Sequence, residues 1–313
     1  MTAEQSLPHG IYSPVPTFFH DNAEQTLDFE TQKKHAKMLY DAGTVGILCG
    51  GSTGEAVHLT LEERAAAVQA VRSAVADPNY KIIAGAMGAS IKDLAHQAKV
   101  FKEHGADSII VLVPGYYGPA ITGQQGLVDW FHALGDASCL PVIVYNYPGV
   151  QNGIDLSIDT FTQIGLHKNI IGCKLTNFNF PLYTMLGQSE TLKNNDFTPL
   201  SGVGQVLVPS LSVGVKGAID GISNVFPKCM VQILNLYDQG KYAEASKLQD
   251  LITRMNELTA ATNLLGLKQL LKHRYGFGED VIGRPPLNYQ MDMTFWKKHY
   301  PVYESLSEIE DSL

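Results

Sequence analysis

The chain has 313 residues, 45% of them hydrophobic and 17% charged, which supplies apolar surface for a full core and argues against extended disorder. A net charge of −8 and a pI near 5.7 leave no basic surplus for nucleic acid or an anionic membrane, so neither is expected as a partner. No apolar run approaches the ~18 residues of a membrane span, and Cys49, Cys139, Cys173 and Cys229 lie too far apart for a zinc site or a C-x-x-C pair, so we expect reduced thiols, no metal and a cytosolic location, with the mitochondrion as the alternative.

In chain order, GIYSPVPTFF (10–19) and TVGILCG (44–50) are apolar runs of strand length. TLEERAAAVQAVRSAV (60–75) has helical period and opens on a capping box of Thr60 and Glu63. KIIAGAM (81–87) is a third strand, and SIKDLAHQAKVFKEHG (90–105) is a helix that starts on Ser90 and stops on Gly105. SIIVLVP (108–114), PVIVYNYP (141–148), IIGCKLT (170–176), FTPLSGV (197–203) and KGAIDGIS (216–223) bring the strands to eight. Continuously apolar strands alternating with helices indicate a parallel sheet covered on both faces, and eight such units fit a (β/α)8 TIM barrel better than an open sheet. After Phe226 the pattern turns helical over 231–239, 241–260 and 265–277, with Ala243, Leu248, Ile252 and Met255 along one stripe. Residues 1–225 are expected to form the barrel, and 226–313 its last helix and a helical C-terminal extension of the same domain.

In such a barrel the chemistry sits at the C-terminal strand ends. In the sixth strand, alternation puts Ile170, Gly172 and Lys174 on one face and Ile171, Cys173 and Leu175 on the other, with Lys174 pointing inward. A buried ammonium is costly unless paired, so Lys174 is either ion-paired to a carboxylate or an uncharged amine, a nucleophile for carbonyls. Tyr145, at the end of the neighbouring strand, also faces inward, either as a proton shuttle for that amine or as a tyrosine capping the core. Gly50-Gly51-Ser52-Thr53-Gly54 formally matches a hydrolase nucleophile elbow, but the next helix starts only at Thr60, so the strand–turn–helix that the elbow needs is missing. The remaining readings are an ordinary tight turn or a concavity whose N–H groups, with the Ser52 and Thr53 hydroxyls, bind a carboxylate. Pro114-Gly115-Tyr116-Tyr117 is a surface aromatic pair, or a contact through which one tyrosine enters a neighbouring copy's site. Gly202-Val203-Gly204 only weakly resembles a phosphate turn, and no cofactor is assigned to it.

Gly51-Ser52-Thr53-Gly54-Glu55, Tyr116-Tyr117, Tyr145-Asn146-Tyr147-Pro148, Gly172-Cys173-Lys174 and Gly217-Ala218-Ile219, in this order at successive strand ends, resemble the dihydrodipicolinate synthase and N-acetylneuraminate lyase superfamily, over roughly residues 10 to 287. The resemblance implies a pyruvate-dependent class I aldolase on a (β/α)8 barrel, with a covalent Schiff base on Lys174 and no separate cofactor. It also implies that Tyr145 relays protons with Thr53 and Tyr117, that Gly51, Ser52 and Thr53 bind the pyruvate carboxylate, and that Ile219, Tyr147 and Gly202 line the pocket. The partner would be a small keto acid, and the assembly a homotetramer built as a dimer of dimers. One departure matters: the synthase branch places an arginine after Y-N-x-P, whereas Gly149-Val150-Gln151-Asn152-Gly153 follows here. The pattern looks most like the eukaryotic branch that cleaves 2-keto-3-deoxy sugar acids such as L-threo-3-deoxy-hexulosonate to pyruvate and L-glyceraldehyde. A 4-hydroxy-2-oxoglutarate aldolase, a synthase-type condensation and a non-catalytic barrel are the alternatives.

Overall fold

Parallel strands β1 (Gly10–Pro14), β2 (Gly46–Cys49), β3 (Lys81–Ala86), β4 (Ser108–Leu112), β5 (Val142–Asn146), β6 (Ile170–Leu175), β7 (Thr198–Ser201) and β8 (Gly217–Ile219) pair in sequence order. They close into a barrel where Tyr12 of β1 pairs with Ile219 of β8. The computed structural model describes residues 7–279, 283–288 and 294–313. Its helices are α1 (Phe29–Asp41), α2 (Leu61–Ala74), α3 (Ile91–Glu103), α4 (Gln124–Ala137), α5 (Ile158–Ile164), α6 (Phe180–Gln188), α7 (Glu190–Lys193), α8 (Leu207–Ser212), α9 (Pro227–Asp238), α10 (Tyr242–Tyr275) and α11 (Thr294–Ser312). The (β/α)8 architecture expected from the apolar runs is the one observed.

Local chemistry sets the element ends. Thr60 and Glu63 form the capping box of α2, with Thr60 N–H donating to Glu63 Oε2 at 2.9 Å and Glu63 N–H to Thr60 Oγ1 at 3.2 Å. Ser90 caps α3. β1 stops at Pro14, short of its apolar run, because Pro14 and Pro16 have no N–H to give a ladder. β8 stops at Ile219 because Asp220 turns the chain, its Oδ1 accepting from Ser223 N–H at 3.1 Å.

The barrel interior is filled by Leu7, Tyr12, Leu48, Ile83, Ile110, Ile143 and Ile171, among others. Ile171 corrects the expected alternation. Val142 pairs with Ile170 but Ile143 with Gly172, so β6 carries one extra residue; this turns Ile171 inward and packs Ile170 with the outer core. Beyond the irregularity the alternation resumes, and Cys173 and Leu175 face the helices as expected.

A second correction concerns the C-terminal stripe. Ala243 is exposed, and the buried series is Ala245, Leu248, Ile252 and Met255, the set that keeps i, i+3, i+4 spacing on one helix face. The two helices expected at 241–260 and 265–277 correspond to the two halves of α10, separated by Asn263 at φ 51°, ψ −148°. The first half docks on the loop after β7. There Gln249 Nε2 donates to Gly204 O (3.0 Å), Gln249 Oε1 accepts from Val208 N–H (3.0 Å), and Thr253 Oγ1 donates to Gln205 O (3.1 Å).

The loop after β2 is held equally firmly. Gly50 has φ +65°, and a Cβ on Gly85 would lie 1.8 Å from Gly50 O, so only glycine at 85 lets β3 pass this close. Thr17 Oγ1 donates to Gly54 O at 2.7 Å. Glu55 sits in the left-handed region at φ 54°, fully buried, where it ion-pairs with Lys268 of α10 and accepts from Arg284 N–H at 3.2 Å. Burial pulls the Lys268 pKa down, and the Glu55 carboxylate opposes that shift. This pair fastens the loop to α10, and Lys268→Met strands a buried carboxylate. Chemical denaturation should therefore show a loss of about 3–5 kcal/mol, much of it recovered in the double variant Glu55→Gln/Lys268→Met; an unchanged midpoint in the single variant would contradict this role.

Candidate active site

Side chains at the C-terminal ends of β2, β5, β6, β7 and β8 converge on one cavity of about 560 Å³. Ser52, Thr53, Tyr145, Tyr147, Lys174, Gly202 and Ile219 all line it. Gly51 does not; it is buried against Leu48. Tyr117 does not line it either, being 69% exposed on the loop after β4 with its ring edge-on to Tyr116.

Lys174 is 4% exposed and pairs in register with Tyr145 across β5 and β6. Its Nζ lies 4.5 Å from the centre of the Tyr145 ring, a cation–π distance. Among the described residues no carboxylate forms an ion pair with it, so the paired-lysine alternative finds no support. Asp220, fully buried beyond β8, feels the Lys174 charge, and its Oδ2 has no hydrogen-bond partner among the described residues. Burial pushes the Asp220 carboxyl up to about 6, against the opposing pull of the Ser223 N–H and the Lys174 charge.

Around the amine the polar groups are few and placed by local folding. Thr176 Oγ1 donates to the Tyr145 hydroxyl at 3.5 Å. Burial, and then Tyr145, raise the pKa of the Tyr147 phenol. In the turn after β2, the N–H groups of Gly54, Glu55 and Ala56 close onto Gly51 O and Ser52 O. Those of Ser52 and Thr53 have no acceptor among the described residues, which leaves two backbone donors beside the Lys174 cavity. Gln151, in the stretch that follows Pro148, is buried and stitches its own loop, donating to Asn146 Oδ1 (2.8 Å) and Ile154 O (2.6 Å). Among the described residues Lys174 is the one charged side chain that lines the cavity. His20, Asp28 and Glu279 lie close enough together to share a cation, but none of them lines the cavity.

The sequence reading missed the second wall. Asn256, Thr259, Asn263 and Leu264 of α10 line the cavity together with Gln205, Phe178 and Val150. A polar helix position reads as solvent-facing in a sequence, and only the break at Asn263 hints that this helix turns over a site. Asp220 was legible only as part of the β8 terminus.

A closed (β/α)8 barrel with an unpaired lysine beside a tyrosine at its mouth defines a site for carbonyl chemistry through an amine. The dihydrodipicolinate synthetase family profile matches residues 7–294. The L-threo-3-deoxy-hexylosonate aldolase of Aspergillus niger is 34% identical over 292 residues, covering 86% of this chain and 87% of that one. A protein of Emericella nidulans named "Probable 4-hydroxy-2-oxoglutarate aldolase, mitochondrial" is 34% identical over 280 residues, covering 88% and 89%. The crystal structure of a dihydrodipicolinate synthase family protein from Coccidioides immitis superposes with a TM-score of 0.87 at 29% identity, covering all of both chains. The chain belongs to the dihydrodipicolinate synthetase family. It is a pyruvate-dependent class I aldolase, of the kind that uses a covalent lysine Schiff base and no metal cofactor.

Asp220 gives the site a pH signature. The folded chain keeps its proton up to pH about 6, whereas an ordinary carboxyl of 3.8 releases it earlier, so this group erodes stability as pH rises from 3.8 through 6 and leaves a constant penalty above. Asp220→Asn removes the charge, and its melting temperature relative to the parent should rise between pH 5 and pH 8 by the equivalent of about 1.4 kcal/mol, the upper half of a total penalty of about 3 kcal/mol. A difference that does not change with pH would contradict the assignment.

Proposed function

We propose that the protein cleaves a 2-keto-3-deoxy sugar acid, best L-threo-3-deoxy-hexulosonate, to pyruvate and L-glyceraldehyde. The observation that carries this reading is the charge of the cavity. With Lys174 committed to the imine, no other cation among the described lining residues meets a second carboxylate, so a substrate with a neutral, hydroxylated tail fits best. The free Ser52 and Thr53 N–H groups suit the one carboxylate that remains, and Gly51 shapes the turn that presents them.

In this reading Lys174 Nζ attacks the C2 ketone, and Tyr145 assists the loss of water from the carbinolamine. The resulting iminium is an electron sink: once the C4 hydroxyl loses its proton, the C3–C4 bond breaks, the aldehyde leaves and the pyruvate enamine remains. Protonation at C3 and hydrolysis of the imine return pyruvate and the free amine. Tyr145, Thr53 and Thr176 form the proton path on one chain. Ile219, Tyr147 and Gly202 shape the pocket around the three-carbon unit. The exposed Tyr116, Tyr117 and Ile121 suit a contact with a second copy, within a dimer of dimers, through which Tyr117 completes a neighbour's proton path. The unpaired cysteines suit a reducing compartment, and we assign the cytosol.

A 4-hydroxy-2-oxoglutarate aldolase is the second reading, favoured by the similarly named Emericella nidulans relative at 34% identity. Pyruvate release from each substrate, coupled to lactate dehydrogenase, separates the two. We expect the higher kcat/KM with L-threo-3-deoxy-hexulosonate, and in Tyr145→Phe a kcat lowered about 100-fold or more. Preference for 4-hydroxy-2-oxoglutarate, or for condensing pyruvate with aspartate semialdehyde, would overturn the sugar-acid reading.

A further inference from the structure

The cavity has two walls of different chemistry. One is the strand-end wall with Lys174, Tyr145 and the Ser52–Thr53 turn; the other is α10, which contributes Asn256, Thr259 and Asn263. Asn256 is 8% exposed, and one end of its amide is engaged, Oδ1 accepting from Thr259 Oγ1 at 3.0 Å. The other end, Nδ2, is buried without a partner among the described residues. Leaving such a donor unpaired costs about 1–3 kcal/mol, a cost that a folded chain retains where a ligand completes the pair.

A second observation lies one helical break away. Asn263, at φ 51° and ψ −148°, occupies backbone space that is essentially reserved for glycine, yet the residue is asparagine and its side chain, exposed at the cavity, has no hydrogen bond among the described residues. Glycine would hold this bend without strain. The bend alone therefore does not explain the asparagine, whereas a carboxamide presented to the cavity does. Gln205, on the loop after β7 to which α10 is tied through Thr253, brings another uncharged amide to the same lining.

Resting on the sugar-acid reading above, we infer that Asn256 and Asn263 of α10 form a subsite that reads the hydroxyl groups on the aldehyde half of the substrate, while the strand-end wall holds the pyruvate half. Carboxamides suit this task because each offers a donor and an acceptor, as a hydroxyl does, and carries no charge to attract a dicarboxylate. These two residues thereby set tail specificity, not imine chemistry.

The test uses condensation of pyruvate with L-glyceraldehyde and with propionaldehyde, which has the same carbon chain without hydroxyls. The parent protein should favour glyceraldehyde. In Asn256→Ala and in Asn263→Gly, the ratio of kcat/KM for glyceraldehyde to that for propionaldehyde should fall roughly tenfold or more. Asn263→Gly keeps the backbone conformation and so guards against a folding artefact in the other variant. A ratio unchanged in both variants would overturn the inference. Borohydride trapping of pyruvate in the same samples keeps the two claims apart. Trapping with an unchanged ratio sinks the subsite alone, whereas a parent protein that traps pyruvate but condenses it with neither aldehyde sinks the sugar-acid reading beneath it.

Discussion

An amine buried at the mouth of a closed barrel, with no carboxylate paired to it among the described residues, is the constraint on which the rest of this structure depends. Lys174 is nearly fully buried, and the face of Tyr145 is its closest described electrostatic partner. Its nitrogen lines the cavity with no described carboxylate to hold it, which leaves it free to react with a ketone bound there. An ion pair would have quenched that reactivity. Asp220 is close enough to feel the charge yet holds its own proton more tightly than an ordinary carboxyl, so it does not act as a full counter-ion at mildly acidic pH.

The surrounding architecture keeps this arrangement in place. Gly85 admits the Gly50 backbone, Thr17 holds Gly54, and the buried Glu55–Lys268 pair joins the turn after β2 to α10. The turn after β2 and α10, which supply opposite walls of the cavity, are thus linked through one ion pair. Helix α10 is therefore part of the site and not only an appendage for packing: its first half is clamped to the loop after β7 by Gln249 and Thr253, and its bend at Asn263 contributes to the cavity wall.

Much of this was legible in the sequence because strand ends carry their signals locally. Lys174 stands out as a cation in an apolar run, and the Thr60–Glu63 box fixes where a helix begins and so rules out a nucleophile elbow at Ser52. The inward direction of Lys174 survived even though the extra residue in β6 reversed Ile170 and Ile171, since the irregularity lies before Gly172. The α10 wall was not legible. Asn256 and Thr259 interrupt no pattern, and their proximity to Lys174 comes from chain closure across more than eighty intervening residues, which no local spacing encodes. Asp220 was hidden for a similar reason, because its unpartnered oxygen is a property of the packed barrel.

The central claim is that the Lys174 nitrogen makes and breaks a carbon–nitrogen double bond. Incubation with pyruvate, reduction by borohydride and peptide mapping by mass spectrometry tests it without reference to the second substrate. The account predicts a reduced three-carbon adduct confined to the peptide carrying Lys174. No adduct, or one on another lysine, would contradict it.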